Sequence, residues 1–562
     1  MAFLGQYSLL AWSSTEAFVF VATFLLGWLM VTRRGKLAMP SPWGLPVLGH
    51  LPLLGPRCFV TMNDYRKRYG DVYKLRMGLR DVVIINGQEA IRTALVKKSG
   101  DFAGRPDIVS FRHAVQGHSV AFAPYTSNWH MHRRIAHRGI STLLKDRECP
   151  TDALISEEAI CLLRRMDERK GKPFDPYEDL QETVMHVLFR LCFGRACRPS
   201  EDVLCEQLRD NFNGFQALQP KLGIIDLFPC TERLLSRYVD HLKRLTGRLT
   251  TLVQPRVECH IKDRADGHSR DLMDIWLTLA DGLGEDVLRD SNITRSQLLQ
   301  TVQDVIGGRH RDNHEHRPLG AALHGGQSPR AEYLSVTYVT HPPTEYDSVT
   351  YVTHPLTEYV SVTYVTHPLT EYVSVTYVTH PPTEYVSVTY ERVQREIDDI
   401  IGRDRDPKQS DRESLPFTDA CLIEVMRHSP VLPLLLPHST TCDTSLNGYV
   451  IPRDTMVFFN LYSLCRDEQL WENPQEFQPE RFVSREGKLK AANLLQFGLG
   501  KRRCIGEDIG RLQVFMLFTT LMQRCTFRFP DDVTLPVSLD GDLGNSWRAK
   551  PYNIIAQARN EF

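Results

Sequence analysis

The side chains best suited to chemistry lie near the carboxyl end of the chain, in residues 497–506, which read FGLGKRRCIG. Two glycines and three consecutive cations precede Cys504, and an apolar stretch at 514–518 follows. Positive charge and the amino end of a helix both stabilise a cysteine thiolate, and glycine allows a flat macrocycle to approach the backbone. The segment therefore predicts a thiolate that acts beside a planar ligand.

Two further groups of side chains lie upstream. Glu424 and Arg427 are three residues apart and would share one face of a helix, and Arg481 follows in the sequence PERF. Trp129 and Arg133 are four residues apart in WHMHR. Taken alone, each group is ordinary: a surface ion pair, or a core tryptophan beside a surface cation. A functional role can be assigned to these groups only when they are considered together with the cysteine segment.

Together these segments resemble the cytochrome P-450 superfamily of haem-thiolate monooxygenases. The signature Phe-x-x-Gly-x-Arg-x-Cys-x-Gly is complete from Phe497 to Gly506. The resemblance implies haem b as cofactor, with the Cys504 thiolate as axial ligand of the iron, and thiolate ligation favours O–O cleavage. It also implies a mostly α-helical fold with a minor β-sheet region.

The resemblance assigns roles to the upstream groups. Glu424, Arg427 and Arg481 match the family's Glu–Arg–Arg triad, which braces the haem-binding core. Four side chains match positions that bind the haem or its propionates: Trp129, Arg133, Arg502 and His438.

The resemblance covers about residues 40–308 and 391–562 and is closest to the vertebrate family-1 branch, which oxidises planar aromatic hydrocarbons, aromatic amines and some steroids. Residues 410–417, 437–449 and 497–507 carry that assignment. It implies a flat pocket for a hydrophobic small molecule. Its candidate substrate-binding residues are Phe122, Phe215 and Asp304.

The resemblance also implies a partner, an NADPH-dependent cytochrome P-450 reductase. This protein would dock on a basic proximal surface that includes Lys501, Arg502 and Arg503. The chain has 67 Lys and Arg against 68 Asp and Glu, a formal charge of -1, so its net charge gives no reason to expect nucleic-acid binding.

The sequence departs from the family at the catalytic turn. The family's central helix carries an acid–alcohol pair that delivers protons, and a glycine that leaves room for oxygen. Here the match holds through Asp304 and Gly308, and the next residues are Arg309, His310, Arg311 and Asp312. The pair is absent, so no catalytic residue is assigned. A haem-thiolate isomerase or lyase, which needs neither pair nor reductase, and an inactive gene product are the alternatives. The signature cations and the family-1 segments favour a monooxygenase.

The amino-terminal region is predicted to anchor the protein. Residues 9–32 carry one charge, Glu16, and Arg33, Arg34 and Lys36 follow at once. At about 1.5 Å per residue this stretch spans a hydrocarbon layer of about 30 Å. The order of charges places the body in the cytoplasm, so we expect a single-pass anchor (1–36) in the endoplasmic reticulum membrane. The proline-rich residues 37–50 form a hinge to a catalytic domain at 51–308 and 391–562.

Residues 309–390 interrupt the catalytic domain. From Ser335 a unit of 13 residues, SVTYVTHPPTEYD, recurs almost unchanged. Repeats that form a solenoid vary outside their core, whereas near-identity indicates a recent duplication. We interpret 309–390 as an inserted or misread segment and expect it to be disordered. A histidine-rich metal tract is disfavoured, because histidines at this spacing do not converge on one ion.

The remaining pattern indicates the body's elements. Strands are expected at 72–77 and 82–85, and helices at 88–98, 392–401 and 416–428, with long helices up to about residue 306. The composition, 42% hydrophobic and 24% charged, excludes a wholly disordered, collagen-like or polytopic membrane chain. Thirteen cysteines, an odd number, favour a reducing compartment over a disulfide framework.

Overall fold

The structure is a computed structural model. It describes residues 39–115, 119–145, 151–194, 198–262, 271–282, 295–307, 359–367, 370–378, 383–490, 495–531, 541–543 and 547–559. The predicted anchor (1–36) and the predicted catalytic turn (309–312) lie outside these ranges. Within the ranges, no helix combines the length and apolarity needed to cross a bilayer.

Helices dominate the described residues, as the sequence predicts. In chain order they are α1 (Leu51–Leu54), α2 (Cys58–Tyr69), α3 (Gln88–Arg92), α4 (Val109–Val115), α5 (Ser127–Leu143), α6 (Thr151–Asp167), α7 (Tyr177–Phe193), α8 (Arg198–Leu227), α9 (Ser236–Lys262), α10 (Leu272–Asp281), α11 (Arg295–Gly307), α12 (Thr383–Ile400), α13 (Pro416–His428), α14 (Leu461–Cys465) and α15 (Glu507–Arg524). A π-helical turn, Thr93–Lys97, continues α3, which confirms the helix predicted at 88–98.

The strands are short. They are β1 (Val72–Met77), β2 (Arg80–Ile85), β3 (Tyr359–His367), β4 (Thr370–Val378), β5 (His438–Ser439), β6 (Thr444–Leu446), β7 (Tyr449–Ile451), β8 (Met456–Phe459), β9 (Cys525–Arg528), β10 (Gly541–Leu543), β11 (Trp547–Ala549) and β12 (Ile555–Ala558). The largest described sheet has the order β1-β2-β8-β5, in which β2 and β8 are parallel and the other pairs antiparallel.

Two hydrophobic clusters join these elements. The larger one lies between α5, α6, α7, α8, α9, α10, α12, α13 and α15, and α11 contributes Val302 to it. The second packs the sheet against α3 and α14. Helices with one apolar face bury that face against neighbouring helices, and the central position of α11 follows from its contacts with α7 and α9.

The proline-rich segment is attached to the sheet. Lys74 N donates to Pro40 O at 2.8 Å, and His50 N donates to Arg76 O at 2.7 Å. The segment forms turns and a short bridge between Leu45 and Gly49, as expected where prolines remove backbone donors.

Part of the repeat region differs from the expected disorder. Strands β3 and β4 pair antiparallel, with Tyr359 opposite Val378 and His367 opposite Thr370. Each unit alternates Val, Thr and Tyr, which are strong strand formers. The His-Pro step ends β3 and does not interrupt it. Helix α12 also begins within the last copy of the unit, at Thr383, nine residues before the predicted start at Arg392.

Candidate functional site

The cysteine segment folds back on itself before α15. Gly498 and Gly500 have φ angles of +70° and +66°, in the left-handed region that favours glycine. A Cβ atom on Gly500 would overlap Leu95 O, so only glycine fits there. Cys504 N donates to Phe497 O at 2.8 Å, and the Cys504 side chain is exposed. The thiol therefore lies two residues before the amino-terminal cap of α15, Gly506, where a thiolate is stabilised.

The hydrogen bonds of Arg502 go to backbone carbonyls. Its guanidinium donates to Ala103 O at 2.8 Å, Val120 O at 3.2 Å and Ala123 O at 2.7 Å, and among the described residues it forms no ion pair. Burial and the neighbouring cations Arg105 and Arg133 lower its pKa to about 8. An anionic ligand at this position would relieve that repulsion.

Trp129 and Arg133 lie beside this cation on α5. The Thr126 side chain caps the helix by accepting the Trp129 N–H at 3.2 Å. The Trp129 ring is buried and lies 3.9 Å from Arg502 Cζ and 5.6 Å from Arg133 Cζ. Arg133 also donates to Arg503 O, and burial lowers its pKa, opposed by the nearby Cys504 sulfur. One aromatic ring thus positions two cations next to the thiol.

His438 reaches the same region from β5. The ring is buried, and its Nδ1 is 2.7 Å from Phe102 O, which can only accept a hydrogen bond. Burial, followed by the charges of Arg105 and Arg502, lowers the pKa of His438 well below its ordinary value. An anionic group beside Nε2 would oppose this shift and favour a ring that donates from both nitrogens. The structure brings Cys504, Arg502, Trp129, Arg133 and His438 together, although they come from separate parts of the sequence.

The predicted triad forms a buried network. Glu424 and Arg427 are both fully buried and make two hydrogen bonds, at 2.6 and 2.8 Å. Arg427 also donates to Cys465 O and Pro474 O, each at 2.7 Å, and Arg481 donates to Glu424 at 3.1 Å. The network ties α13 to the loop that follows α14, so it connects segments and lies apart from the thiol's own contacts.

The three predicted substrate residues occupy different environments. Phe122 packs on Phe111 with ring centroids 4.8 Å apart, and Phe215 contacts both the large core cluster and the cluster of α4, α8 and α9. The carboxylate of Asp304 accepts the Ser119 hydroxyl, whose oxygen lies within 2.9 Å of both carboxylate oxygens. Contact of these three side chains with substrate stays a prediction.

Sequence reasoning missed Arg105 and the backbone of residues 119–123, although it singled out the Phe122 side chain as a substrate contact. Arg105 donates to Ala121 O at 2.8 Å and Pro437 O at 2.9 Å, which places its charge beside Arg502 and His438. No local pattern marks it, because its partners are backbone carbonyls distant in sequence. A second missed contact joins α5 to α11, where His132 Nε2 lies 2.5 Å from Thr301 Oγ1.

The chemistry of these residues fits a haem. Cys504 supplies an exposed soft ligand next to a helix amino terminus, and thiolate sulfur suits iron. The cations around it are partnered mainly by carbonyl dipoles, an arrangement that two propionates would complement. Thiol, cation cluster and buried triad on a mostly helical fold define a haem-thiolate protein.

Comparison with known proteins gives the family. The sequence profile of the family described as Cytochrome P450 matches residues 39–310 and 388–556. Cytochrome P450 1A5 of Gallus gallus is 32% identical over 542 residues, covering 92% of this chain and 90% of that protein. Cytochrome P450 1A1 of Canis lupus familiaris (92% and 90% covered) and cytochrome P450 1A2 of Macaca fuscata fuscata (94% of each) are both 30% identical.

The chain therefore belongs to the cytochrome P450 family and is a haem-thiolate monooxygenase, an oxidoreductase whose cofactor is haem. The predicted kinship with the vertebrate family-1 branch is confirmed.

Proposed function

We propose that this monooxygenase inserts one oxygen atom into aromatic, xenobiotic or steroid-like hydrophobic substrates. The relatives named 1A support the substrate class. Phe122 packs on Phe111 with the ring planes tilted by 60°, and this apolar aromatic pair supports the proposed contact of Phe122 with a hydrophobic substrate. Asp304 and Phe215 are the other proposed contacts.

The observation that carries the proposed site is the convergence of three cations and a buried histidine beside Cys504. Cys504 Sγ would hold the iron, and Arg502, Arg133 and His438 would bind the propionates. The haem, when bound, supplies the oxygen-transfer chemistry. The Trp129 ring contacts both Arg502 and Arg133, and the charge of Arg133 favours the thiolate form of Cys504.

The proposed electron donor is an NADPH-dependent cytochrome P450 reductase. Lys501 and Arg503 are exposed beside Cys504 and offer positive charge to an acidic partner. Arg503 also pairs with Glu507 at 2.7 Å, so Lys501 carries the less compensated charge.

The proposed location is the endoplasmic reticulum membrane, with residues 1–36 as a single-pass anchor and the body in the cytoplasm. Exposed apolar side chains follow that segment: Trp43, Val47, Leu48, Leu53 and Leu79. Gly78 N donates to Leu48 O at 3.2 Å, and Leu79 N donates to Leu227 O at 3.1 Å, so part of this apolar surface is continuous with the end of α8. Such a surface can rest on lipid.

The proposed catalytic domain comprises 51–308 and 391–562, interrupted by 309–390. The family match, which breaks between residues 310 and 388, supports this division.

Replacement of the cysteine tests the site. Cys504→Ala should abolish the thiolate-type carbonyl difference spectrum of the reduced protein, because residues 497–506 contain no second cysteine. Cys442→Ala is the matched control, since Cys442 is also an exposed cysteine and should leave the spectrum intact. An unchanged spectrum in Cys504→Ala would remove this residue as the ligand.

A further inference from the structure

The carboxylate of Asp304 fixes a tight turn at residues 119–123, hereafter the 119–123 turn. Ser119 Oγ donates to the carboxylate, with distances of 2.8 and 2.9 Å to its two oxygens, and Val120 N donates to Oδ2 at 2.7 Å. Ser119 Oγ in turn accepts from Ala121 N at 3.0 Å and Phe122 N at 3.2 Å. Ser119 and Val120 are 0% and 4% exposed and Asp304 is half-buried, so the donor side of these bonds is shielded from water.

The carbonyl groups of the same turn face the cation cluster. Val120 O accepts from Trp129 Nε1 at 2.9 Å and from Arg502 at 3.2 Å. Ala121 O accepts from Arg105 at 2.8 Å, and Ala123 O accepts from Arg502 at 2.7 Å. Two of the three carbonyls that hold Arg502, and one that holds Arg105, thus belong to the turn.

We propose that Asp304 is a positioning residue for the haem. It fixes the 119–123 turn, and the turn's carbonyls set the direction in which Arg502 and Arg105 present their charge to the propionates. The inference rests on the proposed placement of the propionates beside Arg502. It assigns Asp304 a role on the cofactor in addition to its predicted contact with substrate.

The physical basis is a chain of polarised hydrogen bonds. Bonds to a carboxylate are about twice as strong as neutral ones, and hydrogen bonds in series reinforce each other in a low-dielectric interior. Because carbonyls of the turn accept hydrogen bonds from Arg502 and Arg105, the two guanidinium groups shift when the turn shifts. A substrate that competes for the Asp304 oxygens would therefore loosen the turn and shift the cations beside the haem propionates.

The test compares Asp304→Ala with Asp304→Asn. Both remove the negative charge, but the amide oxygen of Asn can still accept the Val120 N–H. Gln303→Ala is the control on the same helix, since the Gln303 amide donates to Thr250 Oγ1 on α9 at 3.3 Å. The readouts on the haem-loaded, full-length protein are haem transfer to a haem-free myoglobin scavenger, the reduction midpoint, and amide hydrogen exchange of peptides covering 119–123.

We expect Asp304→Ala to lose haem roughly tenfold faster, which corresponds to the loss of about one charged hydrogen bond, and to exchange faster at 119–123. Asp304→Asn should recover most of the haem retention and most of the protection from exchange at 119–123. Gln303→Ala should match the wild type in both. The midpoint of Asp304→Ala should lie below that of Asp304→Asn, because loosened cations stabilise the reduced haem less. Ser119→Ala should move haem loss and exchange in the same direction, which keeps the test valid if Asp304→Ala folds poorly.

Equal midpoints and equal haem loss in the two Asp304 variants would overturn the inference. Arg502→Leu separates this result from failure of the proposed site. If Arg502→Leu accelerates haem loss while the Asp304 variants do not, the site stands and the positioning role is wrong. If Arg502→Leu also leaves haem loss unchanged, the propionate placement itself is wrong.

Discussion

The Arg427 guanidinium is fully buried and uses every donor direction it has, toward Glu424 and three carbonyl groups. Arg427→Ala leaves the Glu424 carboxylate buried with fewer partners, at a cost of about 3–5 kcal/mol in the free energy of unfolding. We expect loss of haem-loaded protein without a change in the turnover of what remains. Urea unfolding and the haem-to-protein ratio check this, with the more exposed pair of Arg392 and Glu480 as control. A stable, haem-replete variant with altered turnover would contradict the structural role.

His428 is the residue from which we expect a pH dependence. Burial, and then the charges of Arg466 and Arg427, lower its pKa from 6.5 to about 4. Between these values the unfolded chain binds a proton that the folded chain does not, so the free energy of unfolding falls as the pH falls. His428→Gln should remove this contribution, and its urea midpoint should decline less than that of the wild type from pH 6.5 to 4. Parallel pH profiles would exclude His428 as a source of acid sensitivity.

At the scale of elements, the first turn of α5 positions two members of the site. Thr126 accepts the Trp129 N–H, and the loss of such a cap costs about 1 kcal/mol. Thr126→Ala should lower the free energy of unfolding by that amount and weaken haem retention, because Trp129 supports Arg502 and Arg133. Thr126→Ser keeps the hydroxyl and should behave as the wild type. Equal haem loss in the Ala and Ser variants would show that the cap does not hold Trp129 in place.

For the molecule as a whole, the insertion is expected to govern activity. In the sequence match, Arg309 and Arg311 replace the family's glycine and acid, so the acid–alcohol pair that delivers protons is absent. Without ordered proton delivery, reducing equivalents should leak to peroxide. Replacing residues 309–390 with the corresponding helix of chicken cytochrome P450 1A5 should restore product formation. NADPH consumption, peroxide and hydroxylated product, measured with reductase, distinguish the two chains. Tight coupling of NADPH consumption to product formation in the unmodified chain would contradict this expectation.

The sequence by itself determined the local features. Strand β1 and helix α13 have the predicted bounds. The signals for them, the strand pattern of 72–77 and the proline at the start of α13, lie within a few adjacent residues. The cysteine segment was predictable for the same reason: its glycines, cations and thiol are contiguous. Only the structure shows that Gly500 lies so close to Leu95 O that no side chain fits. The Glu424–Arg427 pair was likewise visible as an i, i+3 spacing.

The tertiary structure alone decided which distant groups meet. Arg105 and the 119–123 turn have no motif, since backbone carbonyls, which every residue has, hold the cations. The octapeptide TEYVSVTY shows the same dependence on context: it lies in β4 at 370–377 and opens α12 at 383–390. The copy at 383–390 continues into a segment whose Val393 and Ile397 are buried in the large core cluster. Its last residue, Tyr390, accepts a hydrogen bond at Oη from Phe527 N at 2.9 Å. Identical residues form a strand in one place and a helix in another, because the context of the flanking chain outweighs the small differences in intrinsic propensity.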